Sequence, residues 1–148
     1  GDLANNSTTN RTKGVKEVLT KYPGIKIEQE QTGIWLRDKG RTLVNDWLTQ
    51  GRDFDAVLAN NDEMAIGASM ALKSAGKKGV LIAGVDGTPD GLNAITKGDM
   101  TVSAFQDAKG QADKSVETAR KMAKNEPIEQ NVVIPFKLIT PDNVKDFK

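Results

Sequence analysis

Short strand-like runs take turns with helix-like stripes along the whole chain, and this alternation limits the possible folds more than any other feature. The strand-like runs are Ile25 to Gln31, Phe54 to Ala59, Val80 to Val85, Thr101 to Phe105 and Val132 to Ile139. The last contains Pro135, which marks an edge, a bend or a crossing. Between them, apolar residues recur at helical spacing. One face is Val15, Val18, Leu19 and Tyr22, stopped by Pro23-Gly24. Leu43, Val44, Trp47 and Leu48 form a second, ending near Gly51. Met64, Ala65, Ala68, Ala71 and Leu72 form a third, with Gly76 as its C-terminal stop. Leu92, Ala94 and Ile95 make a short helix before Gly98, and Ala108, Ala112, Val116, Ala119 and Ala123 a longer one with a small-residue stripe. Thr140-Pro141-Asp142 can start a final short helix. Strands separated by helices at this spacing need crossover connections. The expected fold class is therefore α/β: a three-layer, mainly parallel sheet with helices on both faces.

The 148 residues suffice for one core but not for two full domains. Lys plus Arg number 21 and Asp plus Glu 20, so no field of one sign favours nucleic acid or anionic lipid. There is neither His nor Cys. Catalytic triads, thiolate nucleophiles and the usual zinc sites drop out together, and no cofactor or metal is expected. No apolar run approaches the roughly 20 residues of a membrane span. The polar opening from Gly1 to Thr12 reads as the middle of a longer protein rather than a secretion signal.

In a parallel sheet, ligands bind beyond the carboxyl ends of the strands. The residues there are Gln31, Asn60 and Asn61, Asp86, and Gln106 with Asp107. Trp35 follows the first of these ends, and Arg11 stands at the start of the first helix. Neighbouring hydroxyls on a sugar or polyol match the spacing of carboxylate oxygens and of the guanidinium fork. The C–H face of such a ring stacks on an indole. The Arg, Trp, Asn, Asp and Gln side chains gathered at these ends thus form a candidate site for a hydroxylated ring, with groups for holding a neutral ligand and none for breaking it.

Each residue also has a plainer reading. Asn61 or Asp62 is the natural N-cap of the following helix, and Asp86-Gly87 is a common turn pair. Trp47 lies on an apolar helix face and reads as core. Asp113, Lys114, Glu117, Arg120 and Lys121 read as a solvated face. Two enzyme motifs fail. Asp86-Gly87-Thr88 resembles part of the haloacid-dehalogenase signature, but Gly84 stands where its nucleophilic Asp belongs. Gly76-Lys77-Lys78 lacks the upstream glycine of a phosphate loop, because Ala71 is there.

Four stretches carry a family resemblance: Asn60-Asn61-Asp62-Glu63-Met64-Ala65-Ile66-Gly67-Ala68, Gly84-Val85-Asp86-Gly87-Thr88-Pro89-Asp90-Gly91, Ser103-Ala104-Phe105-Gln106-Asp107-Ala108 and Pro135-Phe136-Lys137-Leu138-Ile139-Thr140. Together they resemble type I periplasmic sugar-binding proteins, the ribose and inositol branch of ABC-importer receptors. The resemblance implies two α/β lobes closing on a sugar, with ligand contacts at Arg11, Trp35, Asn61, Asp86 and Gln106. It implies that this chain is the C-terminal lobe, with the N-terminal lobe and the strand leading into Gly1 outside it. Residues 1–106 would be the ligand-binding lobe. Residues 107–134 would be a crossing segment and a helix belonging to the other lobe, and 135–148 the return strand and terminal helix. The expected partners are a monosaccharide or cyclic polyol and a membrane permease. The exposed helix 107–125 would pair with the other lobe or with a second copy of the chain. The expected location is periplasmic, or extracellular and membrane-anchored in a Gram-positive host. The alternative is the effector lobe of a lactose-repressor-type regulator.

Overall fold

The computed structural model describes residues 1–147. In chain order the elements are α1 (Asn6–Leu19), α2 (Arg37–Thr49), β1 (Ala56–Leu58), α3 (Asp62–Ser74), β2 (Leu81–Asp86), α4 (Pro89–Thr96), β3 (Val102–Phe105), α5 (Ala108–Ala123) and β4 (Lys137–Ile139). A short 3-10 helix over Val144–Phe147 closes the chain, in place of the final helix expected from Thr140. The strands lie in the order β1-β2-β3-β4. The first three are parallel and β4 runs antiparallel to β3.

Helix starts follow their caps. Asn5 accepts a hydrogen bond from the Ser7 amide at 2.8 Å, so α1 begins well before the apolar stripe that announced it. Arg11 consequently sits in the second turn of α1, not at its start. Thr88 caps α4, and Pro89, which has no amide hydrogen to lose, takes the first position.

The strand register decides which side chains share a face. Val57 pairs with Ile82, Gly84 with Ser103, and Ser103 with Ile139. That face is closed, with Ile82, Ser103 and Ile139 all buried, and its core also holds Ala65, Ala68, Leu72, Leu92, Ile95 and Val144. The other face is barer. Leu58 pairs with Ala83, and Leu58, Leu81 and Leu138 are 53, 57 and 60% exposed. Helix α2 packs on α3 through two glycines. A methyl group on Gly40 would lie 2.5 Å from the Met64 carbonyl oxygen, and one on Gly67 would strike the Arg37 carbonyl.

Two expected strands are altered. Ile25 to Gln31 has the alternating pattern but joins no ladder. A cavity of about 620 Å³, lined by Val15, Leu19, Ile27, Trp47, Val57 and Leu58, runs beside it to the edge of β1. A strand exists through its neighbour's N–H and C=O groups, and among the described residues none pairs with this run. In the last run only Lys137 to Ile139 pairs, because Pro135 offers no amide to a ladder. Helix α5 has no buried residue. Its polar side is the solvated face expected, with ion pairs from Lys109 to Asp113, and from Lys114 and Lys121 to Glu117.

Candidate functional site

The first turn of α3 is built around Asn61. Its extended backbone leaves the side-chain oxygen to accept from the Met64 amide at 3.0 Å, so Asn61 and not Asp62 is the cap. The amide nitrogen of the same side chain donates to the Trp35 carbonyl oxygen at 3.1 Å. One side chain therefore both starts a helix and ties down the loop carrying the indole. Ile34 and Trp35 have φ of +43° and +68°, a region that β-branched and bulky residues rarely enter. Two successive left-handed residues turn the chain sharply just ahead of α2. The resulting orientation of Trp35 is held by Asn61 and by Arg11.

Arg11 reaches from α1 across the carboxyl ends of the strands. Nη1 donates to the Asn60 carbonyl oxygen at 2.5 Å, and Nη2 donates to Gln106 Oε1 at 2.8 Å. Nη1 also lies 3.5 Å from Asp86 Oδ1. The guanidinium carbon is 5.7 Å from the centre of the Trp35 ring, within cation–π range. The Asn60 side chain donates to Thr12 Oγ1 at 2.9 Å, which pins α1 to the end of β1.

All five residues expected at the site are thus brought together. Arg11 touches the side chains of Trp35, Asp86 and Gln106 directly, and Asn61 joins through the Trp35 backbone. Gln31 is not with them. It accepts a hydrogen bond from Trp47 Nε1 at 3.1 Å, because its segment never enters the sheet. Trp47 is half-buried, edge-on to Phe54 with ring centres 6.1 Å apart. Asp107 caps α5 through the Gly110 amide instead of facing the cluster.

Asp86 ends β2 with φ of +123°, followed by Gly87 at +74°. Burial pushes its carboxyl pKa above the usual range. The Arg11 guanidinium pulls the other way, and the charges of Asp62 and Glu63 reinforce the rise. The arrangement supplies an anionic acceptor, a guanidinium with N–H groups beyond the two committed ones, an amide oxygen and an indole. Such a set recognises hydroxyl pairs on a ring. Sequence reasoning overlooked two contributors, the Asn60 carbonyl and Asp62. A carbonyl leaves no mark in a sequence, and Asp62 was weighed only as a cap.

The fold is that of one lobe of a periplasmic binding protein, and residues 1–127 match the periplasmic binding protein domain family. The chain belongs to that family. Among curated proteins it is 47% identical to a putative rhizopine-binding protein of Rhizobium meliloti, aligned over all of this chain and 49% of that one. It is 38% identical to a xylitol-binding protein of Mycolicibacterium smegmatis, over 97% of this chain and 42% of the relative. Among solved structures, an ABC transporter solute-binding protein of Bacillus halodurans with bound myo-inositol superposes with a TM-score of 0.93 at 40% identity. The superposition covers 99% of this chain and 51% of that one. The chain spans about half the length of the curated relatives it matches.

Proposed function

We propose that this chain supplies one face of the sugar site of an ABC-importer receptor. The ligand is a monosaccharide or cyclic polyol of the inositol or ribose kind, held without chemical change and passed to a membrane permease. Asp86 accepts from ligand hydroxyls, Arg11 and Asn61 donate to them, Gln106 does either, and Trp35 stacks on the ring. The carrying observation is the Arg11-centred cluster. Side chains from α1, the loop before α2, and the ends of β2 and β3 meet at one edge of the sheet. The relatives bear the names of polyol-binding proteins, or hold myo-inositol, which favours this reading over a repressor's effector lobe. The same kinship supports a periplasmic or cell-surface location.

In this reading residues 1–106 form the ligand lobe, 107–134 cross to and pack on a second lobe, and 135–148 return. The absence of any buried residue on α5 supports that division. A lobe working alone desolvates one side of its ligand, so its affinity is low. Titrating the isotope-labelled chain with myo-inositol, ribose and xylitol tests the proposal by NMR. The Trp35 indole N–H and Arg11 Nε–H signals should shift and saturate at millimolar ligand, and W35A should abolish the effect. Unmoved signals with all three ligands would overturn the proposal.

A further inference from the structure

Asp62 is the first residue of α3 and is 0% exposed. None of the ion pairs among the described residues includes it. A buried carboxylate without a cation persists only where hydrogen bonds replace its lost water. Three do so. Asp62 Oδ1 accepts from Ser103 Oγ at 2.6 Å, and Oδ2 accepts from the Thr88 amide at 2.8 Å and from Thr88 Oγ1 at 3.2 Å. The positive end of α3 adds to them.

Two glycines shape the slot around this carboxylate. A methyl group on Gly84 would run into Oδ1, and one on Gly91 into Oδ2. Gly84 and Gly91 frame the segment that contains Asp86, Gly87 and Thr88. Asp62 therefore fills the space inside the turn, and it grips Thr88, two residues beyond Asp86. Thr88 in turn caps α4 through the Gly91 amide at 3.0 Å. On the other flank, the Gln106 amide donates to the Asp86 carbonyl at 3.0 Å. A non-glycine residue at φ of +123° is strained, and strain of this kind holds only when the surroundings fix the chain on both sides.

We propose that Asp62 is a positioning residue: by gripping Thr88 from inside the Gly84–Gly91 turn, it holds Asp86 in its strained backbone conformation and aims that carboxylate at the ligand edge beside Arg11. Its consequence for binding rests on the sugar-site reading above. Its consequence for the Asp86 backbone does not.

The test compares D62N and S103A in the whole chain. Asn has the volume of Asp, yet only one acceptor oxygen to share between Ser103 and Thr88. In D62N the amide resonances and the three-bond couplings between amide proton and Hα of Asp86 and Gly87 should change while those of β1 and β3 stay. Affinity for myo-inositol should fall about tenfold. S103A removes the other partner of the carboxylate without touching the turn. It should lower the unfolding midpoint and leave affinity within about twofold. Folded D62N with unchanged Asp86 and Gly87 signals overturns the proposal, as does an S103A that weakens binding as much as D62N. Should D62N not fold, G91A sets a methyl group against Asp62 Oδ2 and pushes the carboxylate off Thr88, and unchanged Asp86 and Gly87 signals there overturn the proposal equally. If no form of the chain binds myo-inositol, ribose or xylitol, the sugar-site reading fails, and the Asp86 couplings alone decide the role of Asp62.

Discussion

On the proposed sugar-site reading, Asp86 trades stability against recognition. Burial raises its pKa from the ordinary 3.8, so the folded chain holds this proton more tightly than the unfolded chain does. Such an acid adds stability at low pH, and that contribution is lost as pH rises through the raised value. D86N carries no titrating proton there, and Asn tolerates positive φ. Unfolding midpoints of the two proteins, followed from about pH 3 to about pH 7, should therefore drift apart in favour of D86N as pH rises. A constant difference would contradict the cause assigned to the shift. On the proposed reading the same variant should also lose sugar binding, since an amide replaces the anionic acceptor. Asn61, Asp86 and Gln106 were legible because strand ends are legible: each lies where an apolar run stops at an amide or an acid, whereas Arg11 stands in a polar opening and inside α1. Their mutual contacts were not. Nothing local states that Arg11 spans from Asn60 to Gln106, 46 residues further along.

At the scale of elements, glycine positions decide more than apolar periodicity. The α2–α3 contact is close because Gly40 and Gly67 present no side chain to it. In G67A the new methyl meets the Arg37 carbonyl and lies 2.8 Å from the Arg41 amide nitrogen, both backbone atoms that cannot swing aside. The substitution should cost about 1–3 kcal/mol or more by overpacking, although alanine is the better helix former. Urea unfolding of G67A measures this, and an unchanged midpoint would show that the two helices separate freely. The five α-helices stand where their apolar stripes place them, while their starts moved to wherever a capping side chain stood and the expected final helix became a 3-10 turn. The run from Ile25 to Gln31 shows the opposite limit. Its alternation is genuine, but a ladder needs a second chain segment, and among the described residues none pairs with it.

At the scale of the whole molecule, the chain divides into a packed part and an unpacked part. Val116, Met122 and Val133 are 71, 59 and 80% exposed, whereas Ile139 and Val144, later in the chain, are buried. Phe105 pairs with Lys137, so the ends of the intervening segment already lie side by side. Replacing residues 107–135 by an Asn-Gly turn should close β3 and β4 into a hairpin. The shortened chain should unfold cooperatively, with a midpoint within about 5 °C of the parent. A fall of about 15 °C or more would make α5 part of this core after all. The sequence alone determined the α/β class, the order of the five helices and the residue types waiting at the strand ends. Periodicity and punctuation are local, and each residue carries them without help from distant ones. Only the tertiary structure decided which runs became strands, that β4 reverses direction, and that Asp62 lies inside the turn carrying Asp86. These outcomes depend on which backbone groups find partners and on space left by absent side chains, and both arise from contacts between segments far apart in the chain.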